Sequence, residues 1–105
     1  MKVLVINSGN ANACTGRKGI DNAVTMCRKT AQSLKIDNRK SKIANSEVLV
    51  ASTGIIGEQM PIGKITAGIA KVARRLSDSR RAGLDFAKAI MTTDTRPKQA
   101  ARRLE

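Results

Sequence analysis

Three polar segments, each placed after an apolar run, carry the residue types that could do chemistry. The first is Asn7-Ser8-Gly9-Asn10-Ala11-Asn12-Ala13-Cys14-Thr15-Gly16. Its short hydrogen-bonding side chains and two glycines suit either a loop held by its own bonds or the lining of a polar pocket. Composition favours the self-bonded loop. The segment has neither Gly-x-Gly-x-x-Gly nor Gly-Lys-Ser/Thr, so it is not a phosphate-binding loop. The second is Ala51-Ser52-Thr53-Gly54-Ile55-Ile56-Gly57. A glycine lets backbone amides face a ligand without a Cβ in the way, and such amides can hold the oxyanion of an acyl transfer. An ordinary strand-to-turn exit has the same composition. The third is Ile90-Met91-Thr92-Thr93-Asp94-Thr95-Arg96-Pro97-Lys98. It reads either as a turn with local hydroxyl bonding or as a polar wall for an amino-acid substrate.

Composition narrows the chemistry. The chain has 105 residues and no His, so no histidine-based triad can form within it. Two Cys and no His make a closed zinc site a poor fit. Cys27 falls on an apolar helical face and Cys14 in the polar loop, and neither has a histidine to activate it. With no export signal at the N-terminus, both are expected as reduced thiols in a cytoplasmic protein. No apolar run approaches the roughly 20 residues of a membrane span. The net charge of +12 raises affinity for polyanions. Phe86 is the single aromatic, which leaves an aliphatic core and little for base stacking.

The elements that must position these segments alternate. Lys2 to Ile6 predicts a buried strand, closed by the polar run from Asn7. Asp21 predicts a helix cap, and Val24, Cys27, Ala31 and Leu34 recur at helical spacing, so a helix is expected from about Asp21 to Lys35. A basic connector spans 37–45. Glu47 to Ser52 predicts a second buried strand that Thr53-Gly54 ends. Ile62, Ile65, Ile69, Val72 and Leu76 predict a helix over 61–76, opened by Pro61. Gly63 and Gly68 weaken it or allow close packing on a sheet. Leu84, Ala87, Ile90 and Met91 suggest a third helix ending near Thr92, after a polar break at 77–81. The expected fold class is α/β (or α+β), a βαβα-type layer of short strands with packed helices. Two strands alone leave open edges, so the chain is expected to be part of something larger.

Together the three segments resemble the arginine-biosynthetic glutamate N-acetyltransferase family, also called ornithine acetyltransferase. The resemblance covers nearly the whole chain and corresponds to an interior part of the family's N-terminal segment. It implies one partial domain, 1–105, within the larger ornithine-acetyltransferase-like fold. It also implies a precursor that cuts itself before a Thr. The freed Thr of the C-terminal chain takes acetyl from N-acetylornithine and passes it to glutamate. An N-terminal Thr uses its own α-amine as base, so the absence of His is compatible. No cofactor is implied, although some members accept acetyl-CoA as donor. By the family's pattern Thr53 and Gly54 form the oxyanion hole and Thr92 lines the substrate pocket. Asn7, Asn10 and Asn12 are taken as structural. The family's Lys-Gly-Ser-Gly-Met and Ala-Thr-Met segments, which hold the nucleophile, do not occur in these residues. The chain is therefore expected to be inactive without a nucleophile-bearing partner chain.

Two other readings compete. A small basic, non-specific nucleic-acid-binding protein would use Arg74-Arg75, Arg80-Arg81 and Arg102-Arg103, although the pairs read more simply as solvated helix faces. An inactive interaction fragment would oligomerise through its open strand edges.

Overall fold

The computed structural model describes residues 1–35 and 43–104. Strand β1 (Val3–Asn10) leads to helix α1 (Gly16–Lys35) and, after a 3-10 turn at Asn45–Glu47, to strand β2 (Val48–Ile55). Helices α2 (Ile62–Ala73) and α3 (Arg80–Ala89) follow. Part of the connector predicted at 37–45 lies outside the described residues. The order is the expected one. β1 and β2 pair in parallel, from Val3 opposite Val48 to Asn10 opposite Ile55. A parallel pair needs a long crossover, which contains α1.

The core lies between one face of this sheet and the helices. Met26 of α1 is fully buried and meets Met60 and Ile69, with Val5, Val50, Ile62 and Ile65 packed around them. The core is aliphatic, as the composition demands, and Phe86 stays half exposed. The buried-strand reading holds on one face only. Leu4 and Leu49, on the other, remain 50% and 51% exposed. Among the described residues the sheet has two strands, so the expected open edges are present.

Several expectations are corrected. Both strands run further than predicted, and Asn7–Asn10 and Thr53–Gly54 lie within the pairing. Glycines at Gly9 and Gly54 let the ladder continue where the hydropathy pattern stops. Helix α1 begins at Gly16, not Asp21. Gly16 adopts φ +63°, and Gly19 N–H reaches Thr15 O at 3.3 Å to close the first turn. Asp21 therefore caps nothing and pairs with Arg17 on the surface. The buried stripe of α1 also differs. Asn22, Met26 and Thr30 join Ala31 and Leu34, while Val24 is about half exposed. Two polar residues disguise this stripe, and Thr30 is accommodated because its hydroxyl donates to Met26 O at 2.8 Å.

Helix α2 stops at Ala73, where Arg75 N–H turns to Val72 O. Val72 and Leu76 are exposed, so the apolar stripe outlasts its cover. Gly63 and Gly68 have nothing within 4 Å of a Cβ, so close packing does not explain them. Helix α3 starts four residues before Leu84, because Ser79 Oγ accepts from Ala82 N–H at 3.1 Å and caps it.

Candidate functional site

Strand register brings the first two polar segments side by side. Ser8 stands opposite Thr53 and Gly9 opposite Gly54. Both glycines have positive φ, +105° at Gly9 and +131° at Gly54. A Cβ on Gly54 would strike the carbonyl carbon of Gly9 and come within 2.6 Å of Asn10 N. Position 54 therefore demands glycine twice over, for its backbone angle and for its closeness to β1. A Cβ on Gly9 would meet nothing within 4 Å, so only its angle constrains it. Thr53 and Gly54 are both exposed.

The first segment is stitched to the exit of the second. Asn7 Nδ2 donates to Asn10 O at 2.9 Å, and Asn10 Nδ2 donates to Ala11 O and to Glu58 O. Asn12 Nδ2 donates to Gly19 O at 2.7 Å, while its Oδ1 accepts from Thr15 Oγ1 at 2.5 Å. Main-chain bonds from Ala11 to Ile55 and from Gly57 to Ala13 complete the seam, and Gln59 Nε2 reaches Thr15 O. The three asparagines thus bond to nearby main chain. Asn7 Oδ1 and Ser52 Oγ, on register-paired residues, are buried without a protein partner. Ser52 lines a small cavity of about 240 Å³ with Ala11, Ala13 and Ala23.

The third segment approaches through one contact. Ser8 Oγ donates to Ala89 O at 2.8 Å, across 81 positions of sequence. Thr92 follows shortly after and is exposed. Its N–H donates to Asp94 Oδ2 at 3.3 Å, and Asp94 Oδ1 accepts from Lys98 Nζ at 2.5 Å. The Lys98 bond, and after it the Thr92 amide, hold the Asp94 carboxyl below the usual carboxylate range.

Sequence reasoning missed a larger groove of about 680 Å³ between α1 and β2. Ile20, Val24 and Leu49 line it, and all three remain exposed. The helical spacing that groups Val24 with Cys27, Ala31 and Leu34 does not bury it. Cys14 and Cys27 also line the groove; Cys14 is exposed, and Cys27 is half-buried with its Sγ 3.6 Å from Val48 O. Both thiols are free. The arginine pairs are exposed throughout. Among the described residues no helix is long and apolar enough to cross a membrane.

The ArgJ family model matches residues 1–105. This chain belongs to the ArgJ family. It is 50% identical over 101 residues to the glutamate N-acetyltransferase of Methanothermobacter thermautotrophicus, covering 96% of this chain and 23% of that protein. It is 48% identical to the arginine biosynthesis bifunctional protein ArgJ of Symbiobacterium thermophilum, covering 100% of this chain and 24% of the relative. The chain thus spans about a quarter of the length of these ArgJ-family proteins. The fold is theirs as well. The ornithine acetyltransferase of Mycobacterium tuberculosis, solved in complex with ornithine, superposes with a TM-score of 0.87 at 38% identity. That match covers 91% of this chain and 49% of the other. The ArgJ protein of Bacillus halodurans gives 0.74 at 39% identity, over 88% and 44%.

Proposed function

We propose that this chain supplies the oxyanion hole and part of the substrate pocket of an acetyltransferase that moves acetyl from N-acetylornithine to glutamate. A Thr hydroxyl on a partner chain attacks the acetyl carbonyl, and its proton passes to that Thr's own α-amine. The carbonyl oxygen becomes an oxyanion, for which Thr53 and Gly54 offer donors at the end of β2. The tetrahedral adduct collapses and ornithine leaves with the proton. The amine of glutamate then attacks the acyl-threonine and gives its proton to the α-amine. The Thr oxygen leaves with that proton as the free hydroxyl, releasing N-acetylglutamate. Thr92 contributes a polar wall beside the amino-acid substrate. One observation carries this reading: β1 places Ser8 opposite Thr53 and bonds it to Ala89, so the segments of Gly54 and Thr92 converge on one strand end. The ornithine complex of the M. tuberculosis relative supports the substrate class.

The test combines this chain with the nucleophile-bearing chain of an ArgJ-family protein and follows transfer from N-acetylornithine to glutamate. The 105 residues alone are expected to give no turnover. In the combined protein, Gly54→Ala keeps its backbone amide but displaces it, because the new Cβ collides with Gly9, and is expected to lower kcat toward the roughly 100- to 1000-fold that losing one oxyanion donor costs. Unchanged kcat in that variant would overturn the assignment.

A further inference from the structure

The segment that carries Thr92 is weakly anchored. Among the described residues, the bond from Ser8 Oγ to Ala89 O is the one hydrogen bond that joins 79–104 to the strands. The other bonds given for that segment stay within it, such as Ile90 N–H to Phe86 O, Lys98 to Asp94 and Gln99 Nε2 to Gly83 O. Ser8 also stands opposite Thr53, next to the paired glycines. One residue thus stands opposite Thr53 through its backbone and bonds the helix end that precedes Thr92 through its hydroxyl.

From this we infer that Ser8 is a positioning residue: it sets the Thr92 segment against the Thr53–Gly54 strand end and so tunes the fit of the amino-acid substrate. The inference rests on the acetyltransferase reading for the substrate and on the structure alone for the coupling. Ser8 does not itself touch reacting atoms. Its hydroxyl acts by holding the last carbonyl of α3, a group left free by the helix's own ladder. A methyl in its place cannot donate, whereas the hydroxyl of threonine can.

The experiment uses Ser8→Ala and Ser8→Thr in the complete protein. Amide exchange is read at Ile90 and Met91, and ornithine binding is titrated alongside. One exposed hydrogen bond corresponds to roughly a 2- to 10-fold effect. Ser8→Ala is expected to speed exchange at these amides by that factor while α1 exchange stays unchanged. It is also expected to weaken ornithine binding and raise KM by a similar factor with little change in kcat. Ser8→Thr is expected to restore all of these. Unchanged exchange in Ser8→Ala, or failure of Ser8→Thr to restore it, overturns the coupling. Altered exchange with no ornithine binding by the parent protein leaves the coupling standing and sinks the acetyltransferase reading instead.

Discussion

The two polar segments that flank the Thr53–Gly54 strand end are held in opposite ways. Residues 10–19 are sewn to 55–59 by main-chain bonds and by the side chains of Asn10 and Gln59. Residues 79–98 keep to themselves and meet the strands through Ser8. The first arrangement fixes a backbone geometry, while the second leaves a wall that can shift. On the proposed acetyltransferase reading, a site that presents fixed amides to one reaction and admits two different amino acids in turn benefits from that division. Regions with few buried contacts open at low free-energy cost.

Perturbations should separate the two regions, and the largest effect belongs to the core beneath the stitched one. Met26→Ala is expected to cost about 2–5 kcal/mol, since the side chain is fully buried against Met60 and Ile69. Thermal or denaturant unfolding measures it, and a cost below that of a surface change would mean the core lies elsewhere. Gly54→Ala should follow at about 2–4 kcal/mol of stability, combining the cost of a positive φ with collision against β1. Gly9→Ala should cost less, about 1 kcal/mol, because a Cβ there meets nothing. Equal losses at the two glycines would show that space plays no part. Asn12→Ala falls between these, at about 1–3 kcal/mol, because it strips partners from Gly19 O and Thr15 Oγ1. Its increase in amide exchange should be confined to 10–19 and 55–59, and a change spreading to 79–98 would erase the contrast.

Acid gives the smallest and most selective effect. The folded-state value of Asp94 lies below its ordinary one, so its contribution is complete above the ordinary carboxylate range. It is lost as pH falls through the lowered value, below about pH 4. The Lys98–Asp94 contact is exposed, so the loss should loosen only 92–98. The bonds of the asparagine seam are made by amide and main-chain groups, which carry no charge to lose, and should be unmoved. Chemical shifts of Thr92 and Asn12 followed from pH 6 to pH 2 check this. Glu47 behaves alike at the other end of the sheet, held down by the Ala44 amide and Lys2.

Much of the site was legible as composition and little of it as geometry. The types and order of the elements followed from apolar period and punctuation, as did the aliphatic core. The three polar segments could be picked out because their residues are contiguous. Their relation could not be read, because a register that pairs Ser8 with Thr53 depends on strands far apart in the chain. Met26 was hidden among polar neighbours, since burial of Asn22 and Thr30 depends on what packs above them. The starts of α1 and α3 were set by a left-handed turn at Gly16 and a serine cap at Ser79, which hydropathy does not register.

Local spacing alone thus determined which residues form helices and strands and which side chains were available for chemistry. Only the folded chain decided that Gly54 must lack a Cβ, that Ser8 reaches Ala89, and that Leu4 and Leu49 stay exposed. Periodicity reports how a segment relates to its own neighbours. Close approach between distant segments is settled by packing, where a single atom of excess volume or one missing donor selects the arrangement.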